Sequence, residues 1–142
     1  MVNLGKTRQM DRSQAAKYLR VGRALHSTAS DLNQLATEGD TYGNAMAIVA
    51  VHAGIAYADA LSIAFRELKS VDGDHSMAVV TLRYAIGHRA DEAQIKRLAS
   101  IIDEKSAVSY QGQYYTLADA RAVVEKLDAF AEWVLSLWEE RP

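Results

Sequence analysis

Apolar residues recur at three- and four-residue steps along most of the chain, which is the spacing of helices that bury one face. This spacing predicts a first helix from about Asp11–Ser13 to Ala36. The polar residues 38–44, which include two glycines, predict the turn that follows it. The apolar stripe of this helix consists of Ala15, Leu19, Gly22, Leu25, Ala29, Leu32 and Ala36.

The second predicted helix, residues 41 or 44 to 68, is apolar on nearly every side, which is typical of a buried central helix. One polar line crosses it, because His52, Asp59 and Arg66 are seven residues apart and lie on one side. In one interpretation Asp59 satisfies a buried neighbour and Arg66 lies at the solvent end. In the other, the line opens on a cleft or a subunit interface.

A third, shorter helix is predicted for His75–Ile86, with Asp74 as its N-cap and Gly87 at its C-terminal stop. A fourth begins near residue 89 or 90. Its apolar face consists of Ile95, Leu98, Ile101 and Ile102. The pattern fits either two separate helices or one kinked element.

The last predicted helix follows Thr116, which has the spacing of a capping box with Asp119. Trp133 lies at the rim of its apolar face, where it either covers the edge of the bundle or anchors a partner. The apolar stripe of this last helix consists of Leu117, Ala120, Val124, Leu127, Ala131, Val134 and Trp138.

These elements predict an all-α fold, an antiparallel up-and-down bundle of four to five helices. The 142 residues fit one domain, residues 1–142, with a helical core at about 12–139. The single proline is Pro142, so no internal proline interrupts the predicted helices.

Composition narrows the functional classes. The chain has no cysteine, which excludes disulfides and thiolate metal sites and fits a cytoplasmic protein. Its first residues lack the apolar core of a signal peptide, and no apolar run predicts a membrane span. The net charge is −2, and the basic residues before Glu38 read as a solvated face more than as a phosphate track. We expect no metal site and no cofactor, because the four histidines are scattered and no phosphate-binding loop is present.

The densest polar chemistry lies between the fourth and last helices, in the segment KSAVSYQGQYY, residues 105–115. It offers an ammonium at Lys105, a hydroxyl at Ser109 and aromatic rings at Tyr110 and Tyr114. We take these four residues as a candidate binding loop. The alternative is that the tyrosines pack the loop against the end of the bundle.

Three passages resemble the HEPN superfamily, small all-helical domains with links to nucleotides and RNA. They are AMAIVAVHAGIAYADALSIAFREL in the central helix, GDHSM before the third helix, and KSAVSYQGQYYTLADARAVVEKLDAFAEWV. The resemblance covers residues 12–139. It implies a helical bundle that commonly pairs as a dimer, with its functional loop near the interface.

Family members that cleave RNA carry an arginine and a histidine four to six residues apart near the start of the last large helix. The matching positions here are Lys105 and Tyr110, which keep the spacing and change both residue types. Lysine lacks the planar guanidinium with which arginine donates two parallel hydrogen bonds to a phosphate. An ordinary tyrosine titrates near ~10, far above the range in which histidine exchanges a proton. We therefore expect a non-catalytic module that binds a nucleotide or a partner, or pairs as a homodimer.

Two alternatives stay open at this point. One is a divergent ribonuclease-type toxin of a toxin–antitoxin pair, whose partner the resemblance implies to be a small nucleotidyltransferase. The other is a helical bundle that binds a small ligand along the line of His52, Asp59 and Arg66.

Overall fold

The computed structural model describes residues 2–37, 42–105 and 114–142, apart from the side chain of Lys105. Within these residues the all-α bundle is confirmed, with five α-helices and one small antiparallel two-stranded ladder. The helices are α1 (Ala15–Leu35), α2 (Tyr42–Arg66), α3 (Met77–Ile86), α4 (Glu92–Lys105) and α5 (Leu117–Trp138), and the strands are β1 (Thr7–Gln9) and β2 (Leu68–Ser70).

Helix α2 lies at the centre of the bundle, as its all-round apolar pattern predicts. Tyr57, Leu61 and Ile63 are at most 1% exposed, and the other four α-helices all pack against α2. It is also long and apolar enough to cross a membrane, but 72% of its most apolar window is buried inside the bundle. That burial is typical of the core helix of a soluble protein.

The long helices α1 and α2 run antiparallel, and so do α4 and α5. At the start of α1, the Arg12 Nε donates a hydrogen bond of 2.7 Å to the carbonyl of Ala64, near the end of α2. Helices α2 and α5 are neighbours that run in the same direction. The Tyr115 backbone N–H donates to the Asn44 Oδ1 at their beginnings (2.9 Å), and Ala64 and Trp138 line one cavity near their ends.

The two-stranded ladder is the main feature that the apolar pattern did not predict. Helix α2 ends at Arg66, two residues before the predicted end, because Glu67 turns the chain with a φ of 54°. The chain then returns along α2 as β2, which pairs with β1 so that Lys69 is opposite Arg8. This return brings Lys69 beside the middle of α2.

The predicted capping box at the start of α5 is present, since Thr116 and Asp119 exchange two side-chain to backbone hydrogen bonds of 3.1 Å. Helices α3 and α4 are separate elements. Gly87 ends α3 with a φ of 56°, a value that favours glycine, and a 3-10 turn, Gly87–Arg89, leads toward α4. Helix α3 begins two residues after the predicted start.

Candidate functional site

The described residues that border the candidate loop, Lys105 and Tyr114, lie at the bundle end where α2 and α5 begin and α4 finishes. Lys105 is the last residue of α4. Its side chain, together with Ser109 and Tyr110, lies outside the described residues. Tyr114 is described and is 56% exposed, and Tyr42, the first residue of α2, is 44% exposed. We refer to this end of the bundle, marked by Tyr42 and Tyr114, as the tyrosine end.

Tyr115 holds the three helices together at the tyrosine end. It is 4% exposed, its backbone N–H bonds to Asn44 of α2, and its hydroxyl donates to the Glu104 carboxylate of α4. The backbone carbonyl of Tyr115 also packs against Gly43, where any Cβ would collide with it. Each exposed tyrosine is next in the chain to a residue of this junction, Tyr42 to Gly43 and Tyr114 to Tyr115.

A cavity of about 270 Å³ adjoins this junction and is lined by Glu104, Tyr115, Asp119, Ala122, Val123 and Lys126. Lys126 donates a hydrogen bond of 2.7 Å to the Ser100 hydroxyl. None of the side chains that line this cavity is an imidazole. The described part of the site thus has charged and aromatic side chains and no histidine.

The four histidines lie elsewhere on the bundle. His88 precedes α4, whose 14 residues separate it from the tyrosine end by about 20 Å. His75 lines a cavity beside Asp59, and His26 bonds to Tyr57 and Asp128. His52 is exposed on α2, about 12 Å along the helix from Asn44.

The polar line of α2 divides into three different environments. His52 is exposed, and Asp59 is buried with 6% exposure. The guanidinium of Arg66 lies over the ring of Tyr84, with its Cζ 4.4 Å from the ring centroid. The structure therefore does not bring these three residues into one site.

Asp59 lies in a second cavity, of about 240 Å³, lined by Ile55, Asp59, Lys69, Ser70, Val71, Asp72, His75 and Ala78. The Nζ of Lys69 is 3.7 Å from its Oδ2. Burial raises the pKa of Asp59 from 3.8 to about 6, although the Lys69 ammonium acts in the opposite direction. The sequence marks Asp59 as a buried polar group that needs a partner, and the structure identifies the partner as Lys69.

A third cavity, of about 390 Å³, lies at the opposite end of the bundle and is lined by Phe65, Arg66, Ala85, Ile86, Gly87, His88, Arg89, Glu140 and Pro142. The side chains in this lining include two guanidinium groups, an imidazole and the carboxylate of Glu140. Sequence reasoning missed this grouping, since Arg66 and Arg89 belong to segments that meet only in the folded chain.

A chain of hydrogen bonds links α1, α2 and α5. The His26 Nδ1 is 3.0 Å from the Tyr57 hydroxyl, and its Nε2 is 2.6 Å from the Asp128 Oδ1. Tyr57 is 1% exposed, and burial raises its pKa. Because the hydroxyl is inaccessible to a ligand, this chain connects helices and does not form a binding site.

Trp133 lies on α5 and is half-buried. Its ring packs against Phe130 with a centroid distance of 5.8 Å. The indole therefore covers part of the edge of the bundle and leaves part of its surface to solvent. Among the described residues, no group of three or more histidine, aspartate or glutamate side chains is placed to hold a metal ion.

Comparison of the chain with protein-family models, with curated proteins and with solved structures finds no match.

Proposed function

We propose that this chain is a HEPN-like helical module that binds without cleaving, and that it binds single-stranded RNA or a nucleotide at the tyrosine end. The observation that carries the proposal is the exposure of Tyr42 (44%) and Tyr114 (56%) beside the hydrogen-bonded junction of Tyr115, Asn44 and Glu104. Neither ring is needed to fill the core. Stacking of a base on an exposed aromatic ring contributes about 1–3 kcal/mol and tolerates any base.

The junction beneath these rings favours binding because it is already ordered. Tyr115 is buried and held by Asn44 and Glu104, so the backbone that carries Tyr114 has little freedom left to lose. Lys105 ends α4 at the same place and would add a positive charge for a phosphate group.

The chemistry of the tyrosine end supports binding over cleavage. Lys105 and Tyr110 replace the arginine and histidine of the ribonuclease motif, and the segment between them contains no histidine. The charged side chains that line the adjoining cavity are Glu104, Asp119 and Lys126. None of the side chains that line this cavity is a histidine that could replace the histidine of the ribonuclease motif.

The test is a fluorescence-anisotropy titration with a labelled single-stranded RNA of about ten nucleotides. Tyr42→Ala and Tyr114→Ala should each weaken binding by about fivefold or more, which corresponds to about 1 kcal/mol of lost stacking. Val21→Ala is the control, because Val21 is another exposed apolar side chain (45%) and lies in the first half of α1, outside both proposed binding sites. Equal affinities for all the variants would refute the proposed surface.

We also propose that the module works as a homodimer, or bound to a nucleotidyltransferase-type protein. The half-buried indole of Trp133 supports an interface on α5. Light scattering should give the mass of a dimer, and Trp133→Ala should weaken it while leaving a cooperative unfolding transition. A monomer at high concentration of the unmodified chain would contradict the homodimer.

A second candidate function is the binding of a small polar ligand, which the cavity at Asp59 and Lys69 favours. Ethanolamine and acetate are suitable probes, because one offers an ammonium and the other a carboxylate. We expect one of them to raise the melting temperature, and the rise to disappear in Asp59→Ala for ethanolamine or in Lys69→Ala for acetate. No shift with either probe would count against this function.

A further inference from the structure

The cavity of about 390 Å³ between the ends of α2, α3 and α5 is lined by two arginines, Arg66 and Arg89. In the described part of the chain, neither guanidinium donates a hydrogen bond to a protein acceptor. The Nε of Arg89 is buried and has no hydrogen-bond partner. Orphaned donors of this kind are rare, because a buried polar group without a partner costs on the order of 1–3 kcal/mol.

Two other arginines at this end of the bundle, Arg12 and Arg141, have a structural role, since each donates to a backbone carbonyl near the end of a helix. The Arg12 Nε bonds to the carbonyl of Ala64, and the Arg141 Nη1 bonds to the carbonyl of Trp138 at 2.8 Å. Both neutralise the carbonyl end of a helix. Arg66 and Arg89 reach no such carbonyl, so helix capping does not explain them.

The guanidinium groups of Arg66 and Arg89 each lie over an aromatic ring. The Cζ of Arg66 is 4.4 Å from the Tyr84 centroid, and the Cζ of Arg89 is 5.2 Å from the Phe65 centroid. Stacking on a ring face fixes the plane of a guanidinium but leaves its N–H groups along the edge free to donate. The two side chains are therefore ordered before any ligand arrives.

The one side-chain carboxylate in the cavity lining, that of Glu140, interacts weakly with Arg89. The Oε1 of Glu140 is 3.6 Å from the Arg89 Nε, beyond hydrogen-bond distance, and the Glu140 side chain is 60% exposed. An exposed pair of this type contributes little. Among the side chains that line the cavity, two are guanidinium groups, Arg66 and Arg89, and one is a carboxylate, Glu140.

We propose that this cavity binds a phosphate group, with Arg66 and Arg89 as the principal ligands and Glu140 as a competitor at the rim. The planar fork of arginine matches the oxygens of a phosphate, and charge-assisted hydrogen bonds are the strong ones. The volume accommodates inorganic phosphate or the phosphomonoester of a small metabolite.

The test is isothermal titration of the full chain with inorganic phosphate at constant ionic strength. Arg66→Gln and Arg89→Gln should each weaken binding about tenfold, the effect expected for one charged hydrogen bond. Glu140→Gln should tighten binding several-fold, because it removes the competitor. Arg83→Gln is the matched control. Arg83 lies in the last turn of α3, close in sequence to Arg89, but its guanidinium is bound by both carboxylate oxygens of Glu92.

Ribose 5-phosphate in place of inorganic phosphate distinguishes the two sources of the group. Tighter binding of the sugar phosphate identifies a phosphomonoester as the ligand, and tighter binding of phosphate identifies the free ion. The proposal is overturned if neither saturates the unmodified chain, or if Arg66→Gln binds phosphate as well as the unmodified chain does. Arg66 is exposed, so the Arg66→Gln result does not depend on a damaged core.

Discussion

The buried carboxylate of Asp59 should make the protein less stable as the pH rises, and Asp59→Asn should remove that effect. Asp59 is 6% exposed, and its ionic partner among the described residues, the Lys69 ammonium, is 3.7 Å away. Burial raises its pKa from 3.8 to about 6. The folded state therefore holds a proton that the unfolded chain has already released.

The magnitude follows from the size of the pKa shift. The rise from 3.8 to about 6 is about two pH units. At 1.36 kcal/mol per unit, it corresponds to about 3 kcal/mol. This contribution is fully present below about pH 4 and is lost as the pH rises through about 6, because the unfolded state binds fewer protons than the folded state in that window.

Urea unfolding followed by tryptophan fluorescence from pH 4 to pH 8 measures the effect. The free energy of unfolding of the unmodified chain, minus that of Asp59→Asn, should fall by about 3 kcal/mol between about pH 4 and 7. Asp72→Asn is an informative control, because the pKa of Asp72 is lowered by hydrogen bonds from the Lys6 and Asp74 backbones. Its contribution has the opposite sign and is lost only as the pH falls below about 3.8, so the difference between the unmodified chain and Asp72→Asn should stay nearly constant from pH 4 to pH 8.

Parallel stability curves for the unmodified chain and Asp59→Asn would refute this account of Asp59. They would mean that the carboxylate titrates at its ordinary pKa, either because water reaches it or because Lys69 compensates fully for its burial.

Two glycines give further predictions about close packing. Gly22→Ala would place a Cβ 2.9 Å from the Cδ1 of the buried Tyr57 ring, and we expect a net loss of about 1 kcal/mol in chemical denaturation despite the better helix propensity of alanine. An increase in stability would contradict this packing. Gly43→Ala would place its Cβ against the backbone carbonyl of Tyr115, which cannot rotate away, so we expect a larger loss, of about 2–3 kcal/mol. Gly73→Ala is the control for both, because nothing lies within 4 Å of its Cβ position. A loss in Gly73→Ala as large as in the other two would show that the effect is not steric.

The helices could be predicted from the sequence because each has its own periodic apolar face. The capping residues Thr116 and Asp119 and the stop at Gly87 are local signals, and local signals are readable without the fold. The ladder of β1 and β2 could not be predicted in this way. Its strands are three residues each and pair across about sixty residues of chain, so no local pattern specifies them.

The same distinction explains which site residues could be predicted. Asp59 stands out as a polar residue in an apolar helix, but its partner Lys69 depends on the return of β2. Tyr114 is visible as part of a tyrosine-rich segment, whereas Tyr42 joins it only because α2 and α5 begin at the same end of the bundle. The grouping of Arg66 with Arg89 likewise requires the directions of the helices, which apolar periodicity does not give.

The central claim, that the tyrosine end binds RNA without cleaving it, is tested most directly by an NMR titration of the isotope-labelled chain with a short single-stranded RNA. We predict that backbone amide shifts change at residues 42–44 and 114–117, and that the RNA keeps its full length at the end of the titration. Shift changes confined to other parts of the bundle, or shortened RNA, would contradict the claim.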